Sequence, residues 1–330
     1  MPKSIAFLGA GNIATALAVI LAKHEIPIRL YSIEDAVTRE INLRHRNTKY
    51  LKGINLPKNI SACAHPSEAL KDAEAVIIAV PSHAIKKVME LSAPHFEQDS
   101  TIGCITKGLD PITLKPIAYT VTALLPKNLK KNLCVIGGPA VAMELAIKKP
   151  AGLILAGEMK PKIHLKKLLE NENLRIAISS DFMGVSMAMA LKNIYAVPLG
   201  LCDGLNYPTN TKAMVITAAL DEMSRILKAI GAEQKTTFSL AGLGDLLVTG
   251  LSPHGRNRTY GERLVYAKTR DPQKLGLMTV EGIPSCFLGI KLVKKLKLEA
   301  PLLRTVARCL SAKKHFEKPF LNYLKNLKFS

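Results

Sequence analysis

The chain has 330 residues, a formal net charge of +20 and 48% hydrophobic residues, with a mean hydropathy of +0.15. That length accommodates two domains with large cores, and with no Trp and 5% aromatic residues those cores are aliphatic. The basic excess raises nucleic acid, a membrane surface or small anions as partners. However, the basic residues are spread along the whole chain, without an aromatic RNA-binding signature or zinc-ligand spacing, so neither a nucleic-acid site nor a metal site is expected.

The first residues enter a strand at Ile5, with no leader-like apolar segment before it. SIAFLGA (4–10) reads as a strand and 12–23 as a helix; PIRLYSI (27–33) is a second strand. EAVIIAV (74–80) is a continuous apolar run, the mark of a strand buried on both faces. TIGCIT (101–106), NLCVIGG (132–138) and AGLILAG (151–157) follow. Strands alternating with helices predict an α/β N-terminal domain over 1–180, a Rossmann-type, doubly wound, largely parallel sheet. From Asp181 to 330 helical periodicity dominates, which predicts an all-helical C-terminal domain ending in a basic, partly amphipathic helix. The six cysteines, Cys63, Cys104, Cys134, Cys202, Cys286 and Cys309, lie far apart with no C-x-x-C and read as reduced, buried thiols of a cytosolic protein. No apolar run of membrane-spanning length is free of charge, because Lys192 interrupts the best candidate, so no integral membrane contact is expected.

Several motifs carry chemistry. FLGAGNIATALA (7–18) places Gly9, Gly11 and Ala14 in a G-x-G-x-x-A turn between a strand and a helix. Gly9 permits the tight turn, Gly11 admits a pyrophosphate close to the backbone, and Ala14 lets helix and strand pack closely. The helix N-terminus then faces phosphate through its amides. Past the second strand no Arg stands ready for a 2′-phosphate and Glu34 is placed to bond a ribose 2′-hydroxyl, which leans towards NAD(H). AVPSHA (79–84), with Pro81, turns the chain at the end of the third buried strand. Lys107 in ITKGLD (105–110) sets a cation at a strand's carboxyl end, and GGPAVAMELA (137–146) runs from strand to helix through Gly138. The stretch 184–201 is apolar except for Lys192 and its neighbour Asn193, and a buried ammonium needs a partner or a task. Asp245 in GLGDLLVTG (242–250) is a buried carboxylate candidate, and Arg256, Asn257 and Arg258 form an anion-binding candidate.

In combined order, the glycine turn, INLRHRNTKYLKGINLP (41–57), AVPSHA, TKGL, GGPAVAMELA, ALKN, GLGDLLVTG and RNR resemble the NAD(P)-dependent glycerol-3-phosphate dehydrogenase family over roughly residues 4–262. The resemblance implies reversible conversion of sn-glycerol 3-phosphate to dihydroxyacetone phosphate with NAD(H) or NADP(H), in support of phospholipid synthesis, by a cytoplasmic homodimer. It implies that Lys192 exchanges the proton on the reacting oxygen, that Lys107 polarises that oxygen, and that Asp245 partners Lys192. Asn193, Thr249, Arg256, Asn257 and Gly138 would hold the substrate. Gly9, Gly11, Asn12, Ile13, Pro81, Lys107, Ala142, Arg256 and Glu281 would hold the cofactor. The packing around this polar set departs from the family pattern at Ile33, Ala140, Val141, Ser186, Met189, Ala218, Ala219, Gly250 and Gly255. Two other functions share parts of the motif set: a related β-hydroxyacid dehydrogenase, and a dinucleotide-binding protein weakened in catalysis. The GLGD and RN pairing argues against the first.

Overall fold

The computed structural model describes residues 3–253 and 255–328. The chain divides into two compact units, one of residues 1–107 and 117–182, the other of 108–116 and 183–330.

The first unit alternates strand and helix in chain order: β1 (Ser4–Leu8), α1 (Asn12–Leu21), β2 (Ile28–Tyr31), α2 (Asp35–Arg44), β3 (Ile60–Cys63), α3 (Pro66–Leu70), β4 (Ala73–Ile78), α4 (Ile85–Ser92), β5 (Thr101–Cys104), α5 (Ile117–Leu124), β6 (Leu133–Gly137), α6 (Ala142–Ala146), β7 (Ala151–Gly157), α7 (Met159–Leu169) and β8 (Leu174–Ser179). The strands form one sheet in the order β3-β2-β1-β4-β5-β6-β7-β8. All neighbours are parallel except β6 and β7. This is the Rossmann-type doubly wound arrangement, and its strand order reverses between β1 and β4.

Alternation along β1 shows how the sheet is held. Ile5 and Phe7 enter an apolar layer with Leu17, Leu30 and Ile41, whereas Ala6 and Leu8 enter the opposite layer with Val76, Met89 and Ile102. Both faces of the sheet are therefore covered, as a parallel sheet requires.

The structure sharpens the expected elements. β1 stops at Leu8, because Gly9 takes φ +115° and leaves the extended region. β4 covers Ala73–Ile78 and β5 stops at Cys104, both short of the apolar run seen in sequence. β3 and β8 are additions: ISAC is four residues long, and LRIAIS exposes much of its length at the sheet edge, so neither makes an apolar run.

The second unit is helical: α8 (Phe182–Gly204, its first residue closing the first unit), α9 (Thr209–Ala229), α10 (Asp245–Leu251), α11 (Arg256–Leu264), α12 (Gly282–Lys295), α13 (Pro301–Ser311) and α14 (Lys318–Lys325). A π-helical turn over Leu240–Gly244 leads into α10. By length and composition α8 is apolar enough to cross a membrane, yet its apolar window is wholly buried in the protein. α8 and α11 meet backbone to backbone. A Cβ on Gly200 would lie 1.8 Å from Arg258 O, and one on Gly261 2.0 Å from Val197 O. Glu222 of α9 is also buried. It accepts hydrogen bonds from the N–H groups of Leu302 (2.5 Å) and Leu303 (3.0 Å) at the start of α13 and from Tyr195 Oη of α8 (3.1 Å). It thereby satisfies amides that a helix start leaves without partners.

Candidate active site

In the first unit the carboxyl ends of β1 and β4 come together around the glycine turn. Gly9 N donates to Tyr31 O at 3.1 Å, and Ala79 N donates to Leu8 O at 2.9 Å. A Cβ on Gly9 would lie 2.8 Å from Ala79 O, so the turn admits only glycine. Gly11 differs, because a Cβ there would meet nothing within 4 Å. Gly11 caps α1 without a side-chain hydrogen bond, and the first turn of α1 holds no acidic residue. An open space against an uncapped, positive helix end suits a diphosphate. The residues present therefore fit a dinucleotide.

Asn12 is exposed and Ile13 half-buried at the first turn of α1. Pro81 is exposed just past β4, Gly138 is buried just past β6 with φ +114°, and Ala142 opens α6. Lys107 is half-buried beyond β5 and is the last residue of its segment of the first unit. One further contributor, Asn47, was not singled out from the sequence. Asn47 is fully buried, and its Nδ2 donates to Ala10 O and to Thr15 Oγ1, both at 2.8 Å. It ties the 45–56 loop to the glycine turn. The only sequence signal for it is its place inside the 41–57 stretch.

In the second unit the buried ammonium of α8 finds its partners. Lys192 Nζ donates to Asp245 Oδ1 at 2.8 Å and also to Thr249 Oγ1; Lys192 is 5% exposed and Asp245 2%. Thr249 stands one turn beyond Asp245 on α10, and its Oγ1 lies 3.4 Å from Asp245 Oδ1, so lysine, carboxylate and hydroxyl share one cluster. Beside it, Asn193 Oδ1 accepts from Asn257 Nδ2 at 3.0 Å, and Asn257 Oδ1 accepts from Gly282 N at 2.8 Å. Asn257 thus bridges α8, α11 and α12. Arg256 is exposed at the first position of α11, and Glu281 is half-buried directly before α12. The structure thus gathers Lys192, Asn193, Asp245, Thr249 and Asn257 in the second unit. The glycine turn stands in the first.

Some departures in the surrounding packing are matched by neighbours. A Cβ at Gly250 would lie 2.2 Å from Leu199 Cδ1, so Leu199 fills the space that a side chain at 250 would take. At Gly255 a Cβ would lie 2.2 Å from Thr249 O.

A doubly wound sheet with a dinucleotide-fitting glycine turn, joined to a helical unit with a buried lysine–carboxylate pair, defines an NAD(P)-dependent oxidoreductase of the Rossmann class. The family description "NAD-dependent glycerol-3-phosphate dehydrogenase N-terminus" matches residues 4–162, and its C-terminus counterpart matches 181–320. The chain belongs to the NAD-dependent glycerol-3-phosphate dehydrogenase family. It is 33% identical over 315 residues to a glycerol-3-phosphate dehydrogenase (NAD(P)+) of Clostridium botulinum, covering 94% of this chain and 93% of that one. A protein of the same name from Clostridium perfringens is 34% identical over 301 residues, 90% of each chain. The crystal structure of the glycerol-3-phosphate dehydrogenase of Coxiella burnetii superposes with a TM-score of 0.91 at 29% identity, covering 98% of this chain and 99% of that one.

Proposed function

We propose that the chain interconverts sn-glycerol 3-phosphate and dihydroxyacetone phosphate by hydride transfer with NAD(P)(H), and so furnishes glycerol 3-phosphate for phospholipid synthesis. The observation that carries the reading is the buried Lys192 ammonium, held by Asp245 and Thr249 within the family's own motif order. Residues 1–180 would serve as the dinucleotide-binding domain and 181–330 as the substrate-binding and catalytic domain.

When bound, NAD(P)H would supply the hydride that the carbonyl carbon takes up. In that direction Lys192 Nζ gives its proton to the oxygen that becomes the hydroxyl. In the reverse direction the neutral amine accepts the hydroxyl proton. Asp245 holds the amine in place and favours its protonated form. Lys107 polarises the same oxygen. Asn193, Thr249, Arg256, Asn257 and Gly138 hold the substrate's phosphate and hydroxyls, the planar Arg256 guanidinium being suited to a phosphate. The amides of Gly11, Asn12 and Ile13 take the diphosphate, with Gly9 shaping the turn. Pro81, Ala142, Lys107, Arg256 and Glu281 complete the cofactor contacts.

The same reading has a small anionic substrate, no nucleic-acid or integral membrane partner, a homodimer and a cytoplasmic location. Six buried, unpaired cysteines support a reducing compartment. The purified protein is expected to oxidise NADH or NADPH when given dihydroxyacetone phosphate. No turnover with either cofactor would overturn the reading, and a small hydroxy or keto acid that outperforms it would favour the β-hydroxyacid alternative.

A further inference from the structure

The carboxylate that holds Lys192 is delivered by an irregular piece of backbone. Asp245 opens α10 directly after the π-helical turn Leu240–Gly244, and that turn follows a 3₁₀ turn over Gln234–Phe238. Gly244 N donates to Ser239 O at 3.2 Å. Asp245 N donates to Leu240 O and to Gly242 O. The bonds from Gly244 to Ser239 and from Asp245 to Leu240 thus span five residues, where an α-helix spans four.

A π turn holds one residue more than an α turn, so the helix beyond it is set back by about 100°. In a continuous α-helix from Ser239, Gly244 and Val248 would come round to the places that Asp245 and Thr249 take, and neither brings a polar side chain. The wide turn therefore decides which two residues α10 presents to Lys192.

Such a turn persists only where its surroundings hold it, and two residues do so here. Ser239 Oγ donates to Thr236 O at 2.7 Å and accepts from Ala241 N at 3.2 Å. The Ser239 carbonyl accepts from Gly242 N and Gly244 N, both at 3.2 Å. One serine thus clasps the 3₁₀ turn on one side and the π turn on the other. Gly242 lets the two turns touch, because a Cβ there would lie 2.1 Å from Thr237 O and 2.9 Å from Thr236 O. Thr236 and Thr237 are both buried, so the 3₁₀ turn is a fixed wall behind the wide one.

We propose that Ser239 and Gly242 are positioning residues for the reaction: they stabilise the π turn, and the π turn sets Asp245 and Thr249 against Lys192. The inference rests on the reading that Lys192 exchanges the proton on the reacting oxygen.

A double-mutant cycle of Ser239→Ala and Asp245→Asn tests it, read on kcat for dihydroxyacetone phosphate reduction and on unfolding by urea. Ser239→Ala alone is expected to lower kcat about tenfold or more while the calorimetric affinity for NADH stays at the wild-type value. Ser239→Thr keeps the hydroxyl and is expected to restore kcat. In the Asp245→Asn background, Ser239→Ala is expected to cost clearly less than in the wild type, in kcat and in unfolding free energy, because its effect runs through the carboxylate. Gly242→Ala wedges the two turns apart and is expected to lose kcat at least as far; should it fail to fold, the Ser239 series decides alone. An unchanged kcat in Ser239→Ala, or losses that add, overturns the positioning role and leaves the functional reading standing. A wild type without turnover overturns the functional reading, and the unfolding cycle then decides the positioning role: additive losses overturn it, and coupled losses support it.

Discussion

Lys192 Nζ and Asp245 Oδ1 are 2.8 Å apart, joined across 53 positions of sequence and shut away from solvent. Each group is the reason the other can be buried. A lone ammonium or a lone carboxylate at such a site would carry an uncompensated charge.

Lys192→Ala therefore has two effects. Turnover is expected to fall by about 10²–10⁴-fold through loss of the proton-exchanging group. Stability is expected to fall by about 3–5 kcal/mol because Asp245 is left without its partner. Lys192→Gln combined with Asp245→Asn restores a neutral hydrogen-bonded pair, and its Tm is expected to exceed that of Lys192→Ala with turnover still lost. Steady-state assays with dihydroxyacetone phosphate and thermal melts separate the two effects; retained turnover in Lys192→Ala would refute the assignment of the base.

The two glycines of the turn are expected to fail differently. Gly9→Ala places a Cβ 2.8 Å from Ala79 O at φ +115°, which costs about 1–3 kcal/mol and shows as a lower Tm. Gly11→Ala meets nothing in the protein, so its stability is expected to fall only by the loss of a glycine N-cap, about 0.5–1 kcal/mol. Its added methyl instead enters the diphosphate's space, and calorimetry is expected to show weaker NADH binding. Unchanged NADH affinity in Gly11→Ala would place the diphosphate elsewhere.

Asn257→Ala removes the acceptor of Gly282 N and the donor to Asn193 Oδ1 in one step. A buried group left without its partner costs about 1–3 kcal/mol. The expected signature is a lowered Tm together with a raised KM for dihydroxyacetone phosphate, since Asn193 loses its orientation. A KM that stays at the wild-type value would show that Asn193 needs no such support.

Glu222 gives a pH signature. Burial pushes its pKa up to about 7, despite the opposing bonds from Leu302, Leu303 and Tyr195 and the nearby Arg225. Because the folded state holds this proton more tightly than the unfolded chain, protonation favours the fold. Its contribution is fully present below pH 4.5, declines as the pH rises to about 7, and is constant above that. The span is on the order of 3 kcal/mol. In Glu222→Gln this part of the pH dependence is expected to vanish, read as the difference in unfolding free energy between wild type and variant across pH 4.5–7.5. An unchanged slope would rule out Glu222 as its source. The neutral amide also turns an NH₂ towards backbone N–H groups, so the variant is expected to be less stable than wild type throughout.

Much of the architecture was legible in sequence because it depends on local pattern. AGLILAG is an apolar, β-rich run, and β7 covers exactly those seven residues' span, Ala151–Gly157. The antiparallel pairing of β6 with β7 was not legible, since an apolar strand carries no mark of direction. β3 and β8 escaped because a short strand and a half-exposed edge strand show no continuous apolar run. At the site, Lys192 was conspicuous as a charge in an apolar helix, and Asp245 as a carboxylate beside an apolar run. Gly282 was not, because its contribution is a backbone N–H, which no side chain advertises. Glu222 was hidden for a related reason: two of its partners are the amides of residues 80 and 81 positions away.

The contact between α8 and α11 has a consequence for how this chain can change over time. Gly200 and Gly261 set main chain against main chain, so the spacing of the helices bearing Lys192, Asn193 and Asn257 does not depend on side-chain size at the seam. The seam is thus set by main chain alone, whereas at Gly250 it is a side chain, Leu199, that takes up the space. The polar set can thus be inherited unaltered while its surroundings are rewritten, and the positions with least freedom to vary are two glycines that do no chemistry.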